Sequence, residues 1–141
     1  MARFFAQLAT PVFLVVTVVG LIAGDASRVT NGHAGGNVGD LVLHMTWIRD
    51  ALDAILLAAF VWIGFVASRR AGRLAMIALG VVLLALAVSG FLVGDNDYAG
   101  KGYAGLHFPV AINVFDLIMG VLALLSGLGT VEDPAPARAA R

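Results

Sequence analysis

The sequence has no cysteine and few charged residues. Zero cysteines among 141 residues exclude disulfide bonds, thiolate metal ligands, covalent haem attachment and iron–sulfur clusters. Charged residues make up only 13% of the chain, and the nine basic side chains balance the nine acidic ones. A nucleic-acid partner is not expected because no basic face is present. We also find no nucleophile–base pair, phosphate-binding loop or open metal triad, so no residue pattern predicts catalysis.

Apolar residues dominate what remains. They form 60% of the chain, and the mean hydropathy is +0.95, which leaves too little polar sequence to cover a soluble globule of this size. Four apolar stretches each meet the requirement of about 20 residues for a helix that spans a lipid bilayer. They cover about residues 4–24, 41–67, 74–94 and 106–129. The sequence therefore predicts an all-α integral membrane protein in contact with lipid.

The basic residues orient these four predicted helices. Arg3, the arginine-rich turn at 69–73 and the arginines at 138 and 141 all fall on one side, which the positive-inside rule makes cytoplasmic. We expect a bacterial-type inner membrane with both termini in the cytoplasm. Residues 1–130 form the predicted transmembrane domain. Residues 131–141 contain two prolines and no apolar periodicity, so they predict a disordered cytoplasmic tail.

The chain contains an internal repeat. Each half has an apolar helix that ends in the pattern Gly-x-x-x-Gly-Asp, then an outer loop, then a helix that opens with Leu-His. The first pattern ends at Gly24-Asp25 and the second at Gly94-Asp95. Short connections force neighbouring helices to run antiparallel, so we predict an up-down four-helix bundle built from two repeated helical hairpins.

The repeat places two histidines at equivalent positions. His44 and His107 are predicted to lie in the first turns of helices two and four, at one depth near the outer face. Facing imidazoles at one level are suited to axial ligation of a haem, whereas interfacial histidines with a purely structural role, another metal or a proton role are the alternatives. Four glycines share this level and are either helix-packing positions or space for a cofactor. They are Gly20, Gly24, Gly90 and Gly94.

This arrangement resembles the membrane b-type cytochromes, which take histidines from helices two and four and pack haem against glycines of helices one and three. The resemblance covers the bundle and not the tail. It implies one non-covalent haem b, held by His44 and His107 beside the four glycines. The implied function is electron transfer with a redox partner protein or a quinone, alone or as a subunit of a respiratory-type complex. The inner halves of the helices lack a second histidine pair, so one haem would not span the bilayer.

Five further polar residues fall inside the predicted helices, where ionisable groups are costly. They are Arg49, Asp50, Asp53, Asn113 and Asp116. Arg49 and Asp53 lie one helical turn apart and can neutralise each other, while Asp50 has Asn113 as its counterpart in the second repeat. Asp116 has no cation in its own helix. Its charge is met by Arg49 across the bundle, by protonation or by another subunit.

These charges allow three interpretations. They hold the helix pairs together, form a quinone or proton site, or contact a partner subunit. The last interpretation gives the alternative to haem binding, which is a cofactor-free accessory subunit that docks into a larger membrane complex through its intramembrane charged residues. The two hypotheses differ in which substitutions matter, because only the haem hypothesis depends on the histidines.

Overall fold

The structure is a computed structural model that describes residues 1–23, 29–30, 33–34, 46–93, 102–103 and 106–131. It is mostly helical and has four α-helices. In chain order the elements are α1 (Ala2–Ala23), β1 (Val29–Thr30), β2 (His33–Ala34), α2 (Trp47–Val61), a π-helical turn (Trp62–Val66), α3 (Arg69–Val93), β3 (Gly102–Tyr103), β4 (Leu106–His107) and α4 (Val110–Leu128).

Three of the described helices are long and apolar enough to cross a membrane. They cover Ala2–Ile22, Arg69–Val93 and Val110–Leu128. Many large apolar side chains on these helices are exposed, which suits contact with lipid. α2 is shorter and carries Arg49, Asp50 and Asp53, so it does not meet the same standard of length and composition. Three of the four predicted spans therefore have the length and composition of membrane-spanning helices in the structure.

The helices pack in antiparallel pairs. In the first pair, the Phe5 ring of α1 lies 6.2 Å from the Phe60 ring near the end of α2, so the start of one helix meets the end of the other. In the second pair, Gly80 of α3 faces Leu124 of α4, and a position further along α3, Leu84, faces Gly120. α1 also packs on α4, and just after α4 the Thr130 hydroxyl accepts a hydrogen bond from the amide of Ala2.

Aromatic rings fill the middle of the molecule. Phe13 of α1 stacks on Phe60 at 4.9 Å between ring centroids and lies 5.5 Å from Phe115 of α4. The buried apolar cluster around them draws on all four helices, and the close van der Waals contact of its side chains holds the helices together. Its members are Ala2, Ala6, Ala9, Phe13, Leu56, Phe60, Ile63, Met76, Leu83, Met119 and Ala123.

Glycine allows α3 and α4 to approach closely. A Cβ atom added at Gly80 would lie 2.6 Å from the backbone nitrogen of Leu124, and one at Gly127 would lie 2.9 Å from the backbone nitrogen of Ile77. Both distances are shorter than side chains tolerate against backbone atoms. Close contact through small residues is the usual means of association for helices that gain little from the hydrophobic effect in lipid.

Several predicted boundaries differ from the structure. Helix four was expected to begin at about residue 106 with His107 in its first turn, but β4 occupies Leu106–His107 and α4 begins at Val110. Pro109 explains the difference, because a residue before proline avoids the helical conformation and Pro109 itself caps the helix with extended backbone. Helix two was expected from residue 41, whereas α2 begins at Trp47 after its N-cap, Thr46.

The third helix and the first outer loop also differ from expectation. α3 begins at Arg69 rather than at about residue 74, since the Ser68 hydroxyl accepts a hydrogen bond from the amide of Ala71 and arginine favours helix. The glycines and asparagines between Asp25 and Asp40 predict a loop without regular structure, yet β1 and β2 pair there as a short antiparallel hairpin. The second outer loop contains the corresponding pair β3 and β4.

Candidate functional site

The candidate site lies at the end of the molecule where α2 and α4 begin, which we call the hairpin end. The opposite end, where α1 begins and α4 finishes, we call the termini end. Thr46 starts α2 by accepting a hydrogen bond from the amide of Arg49 at 3.3 Å. This cap fixes the first turn of α2, so the side chains of Arg49 and Asp50 sit in the first turn of the helix and Asp53 in the next.

Arg49 bridges the two helices at this level. Its Nη1 and Nη2 atoms each donate to one oxygen of Asp116 at 2.7 Å, which is the bidentate geometry of the strongest arginine–carboxylate pairs. Its Nε atom also donates to Asp53 Oδ2 at 3.1 Å. Arg49 is 2% exposed, and both aspartates are fully buried. The structure thus shows the predicted pairing with Asp53 one turn away in the same helix, and of the three alternatives for Asp116 it shows the pair with Arg49 across the bundle.

The buried site has more acid than base. Among the described residues, the buried ionisable side chains in the helices are one guanidinium, Arg49, and three carboxylates, Asp50, Asp53 and Asp116. Neither oxygen of Asp50 has a hydrogen-bond partner in the described part of the chain, and Asp53 Oδ1 also lacks one. Full ionisation of all three carboxylates would leave two negative charges uncompensated, and uncompensated buried charge is costly.

Asn113 does not pair with Asp50 in the way that their equivalent positions allow. Its Nδ2 atom instead donates to the carbonyl oxygen of Phe108 at 3.0 Å, which satisfies a free carbonyl just before α4. Its Oδ1 atom is buried and has no partner in the described residues. The amide packs directly on Gly90 of α3, where an added Cβ atom would overlap it. Asn113 therefore ties α4 to α3 and adds another unsatisfied acceptor to this end of the molecule.

The aromatic core closes the site on its other side. Phe60 lies about two turns beyond Asp53 toward the termini end and stacks on Phe13, while Phe115, which precedes Asp116, packs on Phe13 from the level of the site. None of the three side chains offers a polar atom. Among the described residues, no further buried charged side chain lies in this part of the helices. Exchange of a proton or ion with the site would therefore take place at the hairpin end.

The structure describes only one of the two predicted haem ligands. His107 is buried and lies in β4, where it pairs with Gly102. It is therefore not in the first turn of α4, where it was predicted. β4 contacts α2, so the segment that carries His107 lies beside the helix that begins three residues after His44. His44 itself lies outside the described residues, and so does the distance between the two imidazoles.

The glycines predicted to accommodate haem have other surroundings where the structure describes them. Gly90 is covered by the Asn113 amide, so α3 offers no open recess for a macrocycle at that position. Gly20 is buried near the end of α1. Gly24 and Gly94 lie outside the described residues. The described residues therefore supply one buried histidine but no space beside Gly90, and the fit to haem is incomplete.

Some important contacts had no counterpart in the sequence prediction. The π-turn leaves the carbonyl of Gly64 available, and it accepts hydrogen bonds from Arg3 Nε at 3.1 Å and Gln7 Nε2 at 3.0 Å. A glycine in an apolar run near the end of helix two was the available signal. Gly80 and Gly120 likewise mark the contact between α3 and α4, although neither belongs to a Gly-x-x-x-Gly pattern.

No protein-family model, curated protein or solved structure matches this chain.

Proposed function

We propose that this chain is a four-span protein of a bacterial inner membrane that binds protons at a buried carboxylate site open to the outer face. The observation that carries the proposal is the excess of acid, because the described helices bury three carboxylates and one guanidinium, which pairs with only two of them. Low dielectric surroundings disfavour a net charge, so the site is neutral only when it holds protons or a cation. Intramembrane carboxylates commonly mark proton-binding sites.

The first part of the proposal concerns architecture. α2 and the π-turn together form the fourth span, and the four helices form an up-down bundle of two repeated hairpins. Equivalent contacts in the two halves support the repeat. Gly64 packs on Gln7 of α1, and its counterpart Gly127 packs on Ile77 of α3, which is the residue equivalent to Gln7. The antiparallel pairing within each half agrees with the same interpretation.

The proposed orientation follows from the arginines at the termini end. Arg3 lies there at the start of α1, and Arg69, Arg70 and Arg73 lie in the first turns of α3. The positive-inside rule then places the termini end in the cytoplasm and the carboxylates near the outer face. Because the aromatic core separates the site from the cytoplasmic side, we propose proton binding from the outside rather than transport through the bundle.

Two carboxylates of the site have oxygen atoms without a hydrogen-bond partner among the described residues. Oδ2 of Asp53 accepts the hydrogen bond from Arg49, whereas Oδ1 is available for a proton. Asp50 lies in the first turn of α2, nearer the hairpin end than Asp53, and both of its oxygens are available. We therefore assign proton binding to Asp50 and Asp53. Both oxygens of Asp116 accept hydrogen bonds in its bidentate pair with Arg49.

Infrared difference spectroscopy of the protein in lipid vesicles tests this assignment. Lowering the pH should produce the carbonyl stretch of a protonated carboxylic acid, and Asp50→Asn or Asp53→Asn should each remove part of that band. Glu132→Gln is the control, because it removes a carboxylate from the sequence after the last helix. A spectrum with no pH-dependent carbonyl band, or a band unchanged by both aspartate variants, would contradict proton binding at this site.

We propose haem binding as the second candidate function, supported by the burial of His107 and by the contact of β4 with α2. His44 and His107 would be the axial ligands of one b-type haem near the outer face, for electron transfer with a partner protein or quinone, alone or within a larger complex. When bound, the haem would supply one-electron chemistry. This candidate has less support because Asn113 fills the space at Gly90.

A reduced-minus-oxidised visible spectrum of the purified protein tests this second candidate. A b-type band that His44→Ala and His107→Ala abolish, but His33→Ala preserves, would establish the ligand pair. A colourless protein after expression with ample haem would exclude it. Docking into a larger membrane complex through Arg49, Asp53 and Asp116 has weaker support than either candidate, since these three side chains pair with one another inside the chain.

A further inference from the structure

A second site lies at the termini end and is independent of the proton site. A cavity of about 540 Å³ opens there between the ends of the helices. This volume falls within the usual range of small-molecule sites. Its wall includes Arg3 and Gln7 of α1, Ser68 and Arg69 at the start of α3, and Thr130 after α4. Its charged wall residues are both arginines, and none of the described residues of the wall is acidic.

Two structural features favour the binding of an anion in this cavity. The N-termini of α1 and α3 both lie at its wall, and a helix N-terminus carries a partial positive charge. Arg3 is also held in place, because its Nε and Nη2 atoms donate to the carbonyls of Gly64 and Phe65 in the π-turn. A guanidinium with a fixed position loses less entropy when it binds an anion than a free surface arginine does.

The rim of the cavity is apolar. Phe4 is 67% exposed and Val131 is 81% exposed, and both line the cavity. The described apolar spans begin or end at this level, so the rim lies where lipid headgroups meet acyl chains. A cationic interior with an apolar rim complements a molecule that has a phosphate at one end and hydrocarbon at the other.

We propose that this cavity binds the phosphate headgroup of an anionic phospholipid from the cytoplasmic leaflet. Arg3 and Arg69 contact the phosphate, and the acyl chains lie along the exposed apolar rim. The shared chemistry is a phosphate group, so free phosphate is the competing source. The proposal does not depend on the protonation of the aspartates at the opposite end.

Native mass spectrometry of the detergent-purified protein tests the proposal, with phosphatidylglycerol as the anionic lipid and phosphatidylcholine as the zwitterionic one. We expect retention of phosphatidylglycerol over phosphatidylcholine. Arg69→Gln should weaken phosphatidylglycerol binding about tenfold, the effect of losing one charge-assisted hydrogen bond, and Arg69→Lys should restore most of it. Arg70→Gln is the matched control, because Arg70 is the next residue and does not line the cavity.

Three results would overturn the proposal. Equal losses in Arg69→Gln and Arg70→Gln would show that only the general positive charge of this face attracts lipid. Inorganic phosphate that binds as tightly as phosphatidylglycerol would make free phosphate the ligand. Lipid binding that appears only after Glu132→Gln and Asp133→Asn would show that the acidic residues next in the chain keep lipid out. Circular dichroism confirms that each variant retains its helices.

Discussion

Removing members of the Arg49 network one at a time should destabilise the protein in a definite order. Arg49→Met removes the donor to two buried carboxylates, and breaking a buried ion pair from one side costs about 3–5 kcal/mol. Asp116→Asn keeps one acceptor oxygen for Arg49 but loses the second 2.7 Å bond, so we expect a cost of about 1.5–3 kcal/mol.

Asp53→Asn should cost the least. The asparagine oxygen still accepts the 3.1 Å hydrogen bond from Arg49 Nε, and the substitution removes a negative charge that the site does not neutralise. The expected change is within about 1 kcal/mol of the original stability. An aspartate in a simple one-to-one ion pair would behave differently, because its removal would leave Arg49 buried without a counter-charge.

The measurement is the loss of helical circular dichroism as a denaturing detergent is added to the protein in mild micelles. A double variant, Arg49→Met with Asp116→Leu, separates the ion pair from the remaining contacts. It should recover part of the stability that Arg49→Met loses, because an apolar pair of similar size replaces the charges. Equal destabilisation by Asp53→Asn and Arg49→Met would refute the argument that the site carries excess acid.

Three further predictions concern packing and capping. Gly80→Ala should cost about 1–3 kcal/mol because its Cβ would lie 2.6 Å from the α4 backbone, whereas Gly72→Ala has 3.5 Å of clearance and should be neutral or slightly stabilising in the same unfolding assay. Thr46→Ala should cost about 1 kcal/mol through loss of the α2 cap, and Thr46→Ser should retain most of it. Gly90→Ala should displace the Asn113 amide and lower stability by about 1–3 kcal/mol in the same assay. If haem occupied the space at Gly90 instead, the same substitution would also remove the pigment.

The charged residues show how far the sequence leads. Spacing alone predicts that Arg49 and Asp53 share one face of helix two. For Asp116, which has no cation in its own helix, the sequence leaves three possibilities, which are a pair with Arg49, protonation and a charge from another subunit. The structure selects Arg49. The partner of Asp116 depends on how helices two and four are rotated about their axes. That rotation is set by contacts between distant parts of the chain, such as Phe13 on Phe115.

The start of α4 shows where sequence patterns mislead. The apolar run through Leu106 and His107 has the composition of a helix, but the proline at 109 stops helical backbone before it and β4 pairs with β3 instead. The contacts of Gly90 are a similar case. Its pattern marks close packing without stating what packs there, and only the fold places the Asn113 amide in that space.

Duplication gives a reason for the acid excess. Asp53 and Asp116 occupy equivalent positions in the two halves, and so do Asp50 and Asn113, whereas the counterpart of Arg49 is the apolar Ile112. One arginine therefore serves both equivalent carboxylates, with two bonds to one and a single bond to the other. A second arginine in place of Ile112 would give each of the two equivalent carboxylates its own guanidinium and leave Asp50 as the single excess acid. The single arginine instead leaves Asp53 with an available oxygen, which is the property that a proton-binding site requires.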